Sequence, residues 1–245
     1  MFTIQPVHFD YFNKLHPHPE VSVLLGGSYI SNAINRQTLQ LLPYEVGEFA
    51  DRFTNQSDAG AFTWGVDAKY RFNLHSPLRQ EYAFDSFGAG LAVYQITNFN
   101  QTGEVQQFNL FAFDNYTYTL NLQTTRILAN FDLNFHPLYN HFIPFMEGGF
   151  GGASTVMSYT SKPIDPVASP TFNLPNQTSW RFAYQVGTGI KYRPKNNLEC
   201  SIHYLYANMG TANSSIRGNS STLATPLKAN MSAQNFLLGL TYLMK

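Results

Sequence analysis

Trp180-Arg181-Phe182-Ala183-Tyr184-Gln185-Val186-Gly187-Thr188-Gly189-Ile190-Lys191-Tyr192-Arg193 is the stretch whose reading decides the fold. Its even positions are large and apolar or aromatic, Thr188 apart. Its odd positions are charged, polar or small. A period of two puts each set on its own face of a β-strand. The alternation runs for about twice the ~5–6 residues of an ordinary soluble strand and reaches the ~9–11 that a tilted strand needs to cross hydrocarbon. Pro194-Lys195-Asn196-Asn197 is a turn cluster. Beyond it Leu198, Cys200, Ile202, Tyr204 and Tyr206 resume the apolar face, and Glu199, Ser201 and His203 the polar one. The whole reads as one hairpin of a transmembrane β-barrel.

Working outward, Ala61 to Asn73 repeats the pattern. Phe62, Trp64, Val66, Ala68, Tyr70 and Phe72 alternate with Thr63, Gly65, Asp67, Lys69 and Arg71. A soluble barrel of the lipocalin kind would carry the same alternation turned inside out. Here aromatics stand at both ends of the apolar row with small residues between them, as two membrane–water interfaces require and a soluble core does not. Further strands are expected at Val21 to Ser31, Phe84 to Thr97, Leu120 to Phe135, Phe142 to Thr155 and Phe236 to Met244. The small inward row Ser86, Gly88, Gly90, Ala92 would leave room for bulky neighbours in a narrow barrel. In Leu120–Phe135, Ile127, Ala129, Phe131, Leu133 and Phe135 point outward, while Arg126, Asn130, Asp132 and Asn134 point inward. Glu147 is placed inside.

The connections alternate in length. Residues 32–60, 98–118, 156–179 and 209–231 read as long polar loops, with Leu39-Gln40-Leu41-Leu42 a short strand extension. Residues 74–81, 136–141 and 194–197 read as short turns. Outer-membrane barrels have long extracellular loops and short periplasmic turns. The expected fold is therefore all-β: an eight-stranded antiparallel up-and-down transmembrane β-barrel with both termini at the periplasmic side. Deleting much of 156–178 should leave it inserted, because loop closure depends weakly on length.

The bulk figures agree. Charged residues make up 12% of the 245, against about 25% in soluble proteins, and aromatics 16%. Mean hydropathy is only -0.22, and no run approaches the ~18 apolar residues of a membrane helix. Zero net charge supplies no basic field for nucleic acid. The single cysteine, Cys200, excludes an internal disulfide framework and a cysteine zinc site. Two segments divide the chain: 1–20, an irregular lead in which His16-Pro17-His18-Pro19 can be neither helix nor central strand, and 21–245, the barrel. Met1-Phe2-Thr3-Ile4-Gln5-Pro6 has neither the basic nor the apolar region of an export signal; a leader removed or truncated is the expectation.

The final segment, Phe236-Leu237-Leu238-Gly239-Leu240-Thr241-Tyr242-Leu243-Met244-Lys245, resembles the C-terminal signature of bacterial outer-membrane proteins. Phe236, Leu238, Leu240 and Tyr242 fit it; Met244 stands where that signature has Phe or Trp, and Lys245 is extra. Residues 184–192 and 203–210 are similar to late strands of the small opacity-type and OmpA-like barrels. The resemblance implies insertion into the bacterial outer membrane by the barrel-assembly machinery, acting through the C-terminal strand. It implies no single activity, because members include adhesins, structural anchors, small channels and enzymes.

Two residue sets follow from the parity. Phe62, Trp64, Tyr70, Phe131, Trp180, Phe182, Tyr184, Tyr192, Ile202, Tyr204, Phe236, Leu238, Leu240 and Tyr242 should face lipid. Asp67, Lys69, Arg71, Arg126, Asp132, Glu147, Arg181, Lys191, Arg193, Glu199 and His203 should form a polar network in the lumen. An eight-stranded barrel is filled by its own side chains, and mixed charges there must pair; a narrow pore for small solutes is the alternative. Enzymatic barrels of the deacylase, palmitoyltransferase, phospholipase and omptin types rely on a histidine. His8, His16, His18, His75, His136, His141 and His203 all lie outside the expected long loops, so no such site can form at the cell-surface end. A non-enzymatic barrel is expected, with no cofactor, no metal and no nucleic-acid partner, in contact with outer-membrane lipid and displaying loops for surface interaction or envelope structure. One register follows. Opposed residues share a face, so pairs in the 180–206 hairpin have numbers summing to an even value, and Glu199 meets Lys191 or Arg193.

Overall fold

The computed structural model describes residues 17–30, 34, 37–42, 50–55, 59–73, 84–107, 110, 114–139, 141–164, 172–195, 197–219 and 222–244. Eight long strands form a closed antiparallel ring: β1 (Pro17–Ile30), β4 (Ala59–Asn73), β5 (Phe84–Gln106), β6 (Asp114–Phe135), β7 (Phe142–Pro163), β8 (Asn173–Lys195), β9 (Leu198–Asn213) and β11 (Lys228–Leu243). Each pairs with its neighbour in sequence around the ring. The seam is closed by β1 on β11, from Glu20↔Leu243 to Ile30↔Ala233. Three short strands, β2 (Gln37–Leu42), β3 (Ala50–Asn55) and β10 (Thr222–Leu223), extend the sheet beyond the far end of β5. The expected strand extension at 39–42 is β2.

The outward rows are exposed from Val23 on β1 to Tyr242 on β11, including every residue expected to face lipid. Aromatics band both edges of this surface. Phe72 stacks on Phe87 and Phe142 lies tilted against Tyr192 near the short turns; Tyr204 meets Phe236 towards the other end. Thr188, the one polar side chain on the outward row of its hairpin, donates its hydroxyl to the Phe145 carbonyl at 2.9 Å. In hydrocarbon a hydroxyl must find its partner within the protein.

Two expectations are corrected. Pro17 to Glu20 are strand, not irregular lead: they pair with β4 as Pro17↔Phe72 to Glu20↔Lys69, while residues 1–16 lie outside the described residues. The prolines are tolerated because the pairing with β11 starts only at Glu20, leaving an edge with no ladder donor needed; the Pro19 carbonyl accepts from Met244 N at 2.9 Å. Second, most of 98–118 and 156–179 is strand rather than loop. β5 and β6 stay paired to Gln106↔Asp114, and β7 and β8 to Thr160↔Asn173. Deleting 156–178 would remove the buried Met157, Tyr159 and Leu174 and so cut into packed strand; residues 165–171 lie outside the described residues. The turn expected at 74–81 lies outside the described residues.

The long strands hide a change of solvent along their length. On β6 every even residue from Tyr116 to Asn134 points inward. Near the short turns the inward set is Asn130, Asp132 and Asn134, under outward Ile127, Phe131 and Leu133. Further out it is Tyr116, Tyr118, Leu120 and Leu122, under outward Thr117, Thr119, Asn121 and Gln123. β5 does the same: inward Ser86 and Gly88 give way to Tyr94, Ile96, Phe99 and Val105, with a bulge between Ile96 and Phe99 resetting the parity. Two architectures share one ring. Next to the turns is a membrane barrel, greasy outside and polar inside. Beyond it is a water-type barrel with an apolar core, where Tyr118 and Tyr159 stack at 5.6 Å and Phe53 packs edge-on to both. Helix-free polarity reversal of this kind follows from what surrounds each segment, lipid or water.

Ile202→Arg, in the middle of the outward row of β9 where Ile202 is 63% exposed, should cost about 2–4 kcal/mol in denaturant unfolding from lipid vesicles. Thr119→Arg, outward on the water-facing part of β6, should stay within about 0.5 kcal/mol of wild type. Equal costs would place the two segments in the same solvent.

Burial pushes the Tyr118 and Tyr159 phenols well above the ordinary tyrosine range. A raised folded pKa gives stability that is complete below the unfolded value of about 10 and lost as pH climbs towards the folded one. In an alkaline absorbance titration these two phenols should ionise only together with loss of near-UV dichroism. Smooth ionisation of all 15 tyrosines with the dichroism intact would contradict the packed core.

Candidate functional site: the ionic lumen

Strand parity delivers charged side chains to the lumen, and small residues make room for them. A Cβ at Gly88 would collide with the Asp132 carboxylate, and one at Gly90 would sit 2.7 Å from Lys69 Cγ. The inward row of β5 is therefore small where β4 and β6 project their charges across it.

Three connected groups result. Asp132 Oδ2 accepts from Lys69 Nζ at 3.0 Å and Lys191 Nζ at 2.7 Å; Lys191 also donates to Asn134 Oδ1 at 2.7 Å. Lys69 Nζ lies 2.9 Å from Asp67 Oδ2, which accepts from Asn130 Nδ2 at 2.9 Å. Nearer the 194–197 turn, Arg71 grips Glu199 with both terminal nitrogens, at 2.7 and 2.8 Å, and its Nη2 lies 2.7 Å from Glu20 Oε2. Arg193 Nε donates to the same Glu199 at 2.7 Å. In the third group His203 Nδ1 is 2.5 Å from Glu147 Oε1, and Ser201 Oγ is 2.8 Å from His203 Nε2. All these carboxylates, Lys69, Arg71, Lys191 and His203 are buried. Low local dielectric makes such pairs strong and their separation expensive.

Of the residues expected in the lumen network, Asp67, Lys69, Arg71, Asp132, Glu147, Lys191, Arg193, Glu199 and His203 are brought together here. Arg126 is inward and fully buried but outside these pairs. Arg181 is a correction: it is exposed, donating Nε to Thr211 O at 3.0 Å and Nη1 to Trp180 O at 3.1 Å. Its position has inward parity, but β8–β9 pairing stops at Tyr184↔Asn208 and Gly210 follows at φ 74°. β9 bulges here in its pairing with β11, and Arg181 reaches over the bulge to the Thr211 carbonyl. The hairpin register is as expected: Tyr192↔Cys200 and Ile190↔Ile202, with Glu199 on Arg193 rather than on Lys191.

One member and one pairing were missed. Glu20, 2% exposed, was hidden by the proline pair before it, although it shares the parity of Ser22 and Leu24. The Arg71–Glu199 clasp joins residues 128 positions apart, across the lumen, which no local pattern reports. Ser201–His203–Glu147 has the hydrogen-bond order of a hydrolytic triad, yet all three side chains are buried and lie towards the 194–197 turn. Among the described residues no group of three or more His, Cys, Asp and Glu side chains could hold a metal.

A closed antiparallel ring with a greasy belt and an ionic interior is a transmembrane β-barrel. The chain belongs to the outer membrane protein beta-barrel domain family, whose pattern it matches over residues 20–242. It is a protein of the bacterial outer membrane. Solved structures similar to it include Neisserial surface protein A, 11% identical with TM-score 0.39, covering 92% of this chain and 96% of that one. Another is the outer membrane protease OmpT of Escherichia coli, 12% identical with TM-score 0.46, covering 94% and 98%. A third is Ail, the attachment invasion locus protein of Yersinia pestis, 12% identical with TM-score 0.35, covering 92% and 99%. Comparison with curated protein sequences gives no match.

Glu199→Lys should set a third cation beside Arg71 and Arg193 and cost about 3–5 kcal/mol, the range for breaking a buried pair. Glu199→Gln keeps the shape and one acceptor and should cost less. Unfolding in lipid, read by the heat-modifiable gel shift, ranks the two; the reverse order would refute the charge balance drawn here.

Proposed function

We propose that this barrel is non-enzymatic and non-conducting, and that its function is surface interaction through the segment beyond the membrane. One observation carries the reading: the membrane half of the lumen is filled by paired charges, while the ring continues outward as an apolar-cored platform with a polar surface. A conducting pore needs a hydrated, unblocked path. Here Arg71, Lys69 and Lys191 each reach across to carboxylates on other strands, and all three are buried. The outer surface offers Asn, Thr and Gln side chains at Asn98, Asn100, Thr102, Thr117, Thr119, Asn121 and Gln123, held in place by a rigid core rather than carried on free loops. Rigid display lowers the ordering cost of binding. No hydrolytic role is assigned to Ser201–His203–Glu147, because a substrate would have to displace the ion pairs that fill the lumen. The barrel-assembly machinery, reached through β11, and a surface ligand complete the proposed partners.

The test has two arms. Purified barrel in planar bilayers should give no stable conductance steps, and cells displaying it should gain adherence to host-cell monolayers over cells that lack it. Steady unitary conductance from wild-type barrel would favour the narrow-pore reading. Absence of both conductance and adherence would leave envelope structure as the role.

A further inference from the structure

Trp180 ends the greasy outward row of β8. Phe182, Tyr184 and Val186 continue that row on one side of it, all exposed, and Thr178 begins a polar row on the other. A change from apolar to polar at an exposed tryptophan marks a membrane–water interface. At that level a groove of about 470 Å³ opens between β8 and the chain that follows β9. Its lining carries two guanidiniums, Arg181 and Arg217, and among the described residues no carboxylate. Both arginines are exposed.

Backbone geometry holds both walls of this groove. A Cβ at Gly210, whose φ is 74°, would lie 2.8 Å from Arg181 Cβ and 3.2 Å from its Cγ, so the glycine clears the path on which Arg181 crosses β9. Arg181 then donates Nε to the Thr211 carbonyl at 3.0 Å and Nη1 to the Trp180 carbonyl at 3.1 Å. Those bonds use two of the five guanidinium donors and fix its plane. On the other wall Ser214 N donates to the Leu227 carbonyl at 2.9 Å, Leu223 N to the Ile216 carbonyl at 2.7 Å, and Arg217 N to Ser215 Oγ at 3.2 Å. Asn213 N donates to Ser179 Oγ at 3.1 Å and ties the two walls together. Arg217 therefore stands on pinned backbone, facing a groove that an oriented Arg181 already lines.

We propose that this groove binds the phosphomonoester headgroup of an outer-leaflet lipid, whose acyl chains lie along the Phe182 and Tyr184 row beneath it. Guanidinium forks match phosphate oxygens in pairs. A phosphomonoester carries close to two negative charges at neutral pH, and two arginines meet it; a phosphodiester carries one. The hydroxyls of Thr178 and Ser215, also in the lining, add donors that an anion can use. The greasy row decides between a lipid and an acidic peptide. A peptide would meet the same arginines and leave the apolar surface directly below them unused, whereas a lipid engages both at once. The site stands whether or not the polar face beyond the membrane binds a partner.

Native mass spectrometry of the full chain, folded in neutral detergent and titrated with one lipid at a time, tests this. Phosphatidic acid supplies the phosphomonoester, phosphatidylglycerol a singly charged phosphodiester and phosphatidylcholine a zwitterion, all with the same acyl chains. Wild type should retain one phosphatidic acid at about a tenth of the concentration that phosphatidylcholine needs, with phosphatidylglycerol between them. R217Q and R181Q should each lose most of that preference. K228Q, which removes an exposed cation outside the groove, should keep it. Inorganic phosphate in large excess should leave the adduct in place, because it has no chains to lay on the greasy row. Equal retention of phosphatidic acid and phosphatidylcholine by wild type overturns the proposal, and so does a loss in K228Q as large as in R217Q, which would show diffuse attraction. Phosphatidylglycerol held as well as phosphatidic acid overturns the phosphomonoester, and displacement by inorganic phosphate overturns the lipid. If R181Q fails to fold, R217Q in its exposed turn decides.

Discussion

Hydrocarbon offers a polypeptide no hydrogen-bond partner. Every backbone N–H and C=O that enters it must be met by another strand, and the ring therefore has to close. The β1–β11 seam is where that demand is met, joining residues more than two hundred positions apart in sequence, Glu20 to Leu243 among them. An eight-stranded ring leaves room inside for little beyond its own side chains, and the charges that parity sends inward meet each other there. The Arg71 clasp on Glu199 and the two lysines on Asp132 are consequences of closure as much as contributors to it. Removing one partner strands another buried charge.

The same ring obeys a different rule a few residues further out. Side-chain parity on β6 does not change between Tyr116 and Asn134, yet the chemistry on each face exchanges. Inside lipid the outer face must be apolar and the interior can be ionic; inside water the outer face is polar and the interior must be apolar to hold together. The outer barrel therefore stands on the membrane barrel without a hinge or linker, and its packing of Phe53, Tyr118 and Tyr159 is that of a soluble protein. This continuity is what turns expected loops into strands. It also isolates Arg126, which belongs by charge to the lower lumen and by neighbours to the upper core.

Much of this was legible in Trp180 to Tyr206. The period of two, the aromatic ends of the apolar row and the even-sum register together specify which side chains lie on the outside of the ring and that Glu199 meets a base of the same hairpin. Such features are local: pleat and turn alone decide them. The outer parts of β5 to β8 were not legible as strand, because Asn- and Thr-rich stretches with an inward aromatic every second residue look like polar loops when the membrane pattern is used to judge them. Glu20 was lost behind Pro17 and Pro19, whose breaking effect is real in a central strand and harmless on an edge.

By itself, then, the amino-acid sequence determined the alternation, the number of membrane strands, the lipid-facing surface and the local pairing of the final hairpin, since each depends on neighbours one or two residues away or directly across a tight turn. Tertiary structure decided the rest. Which base clasps Glu199 from across the lumen, why Arg181 leaves the interior at the Gly210 bulge and why Arg126 is left without a carboxylate depend on how eight strands are staggered when the ring closes. That stagger is set by the whole circuit of backbone hydrogen bonds, not by any one segment.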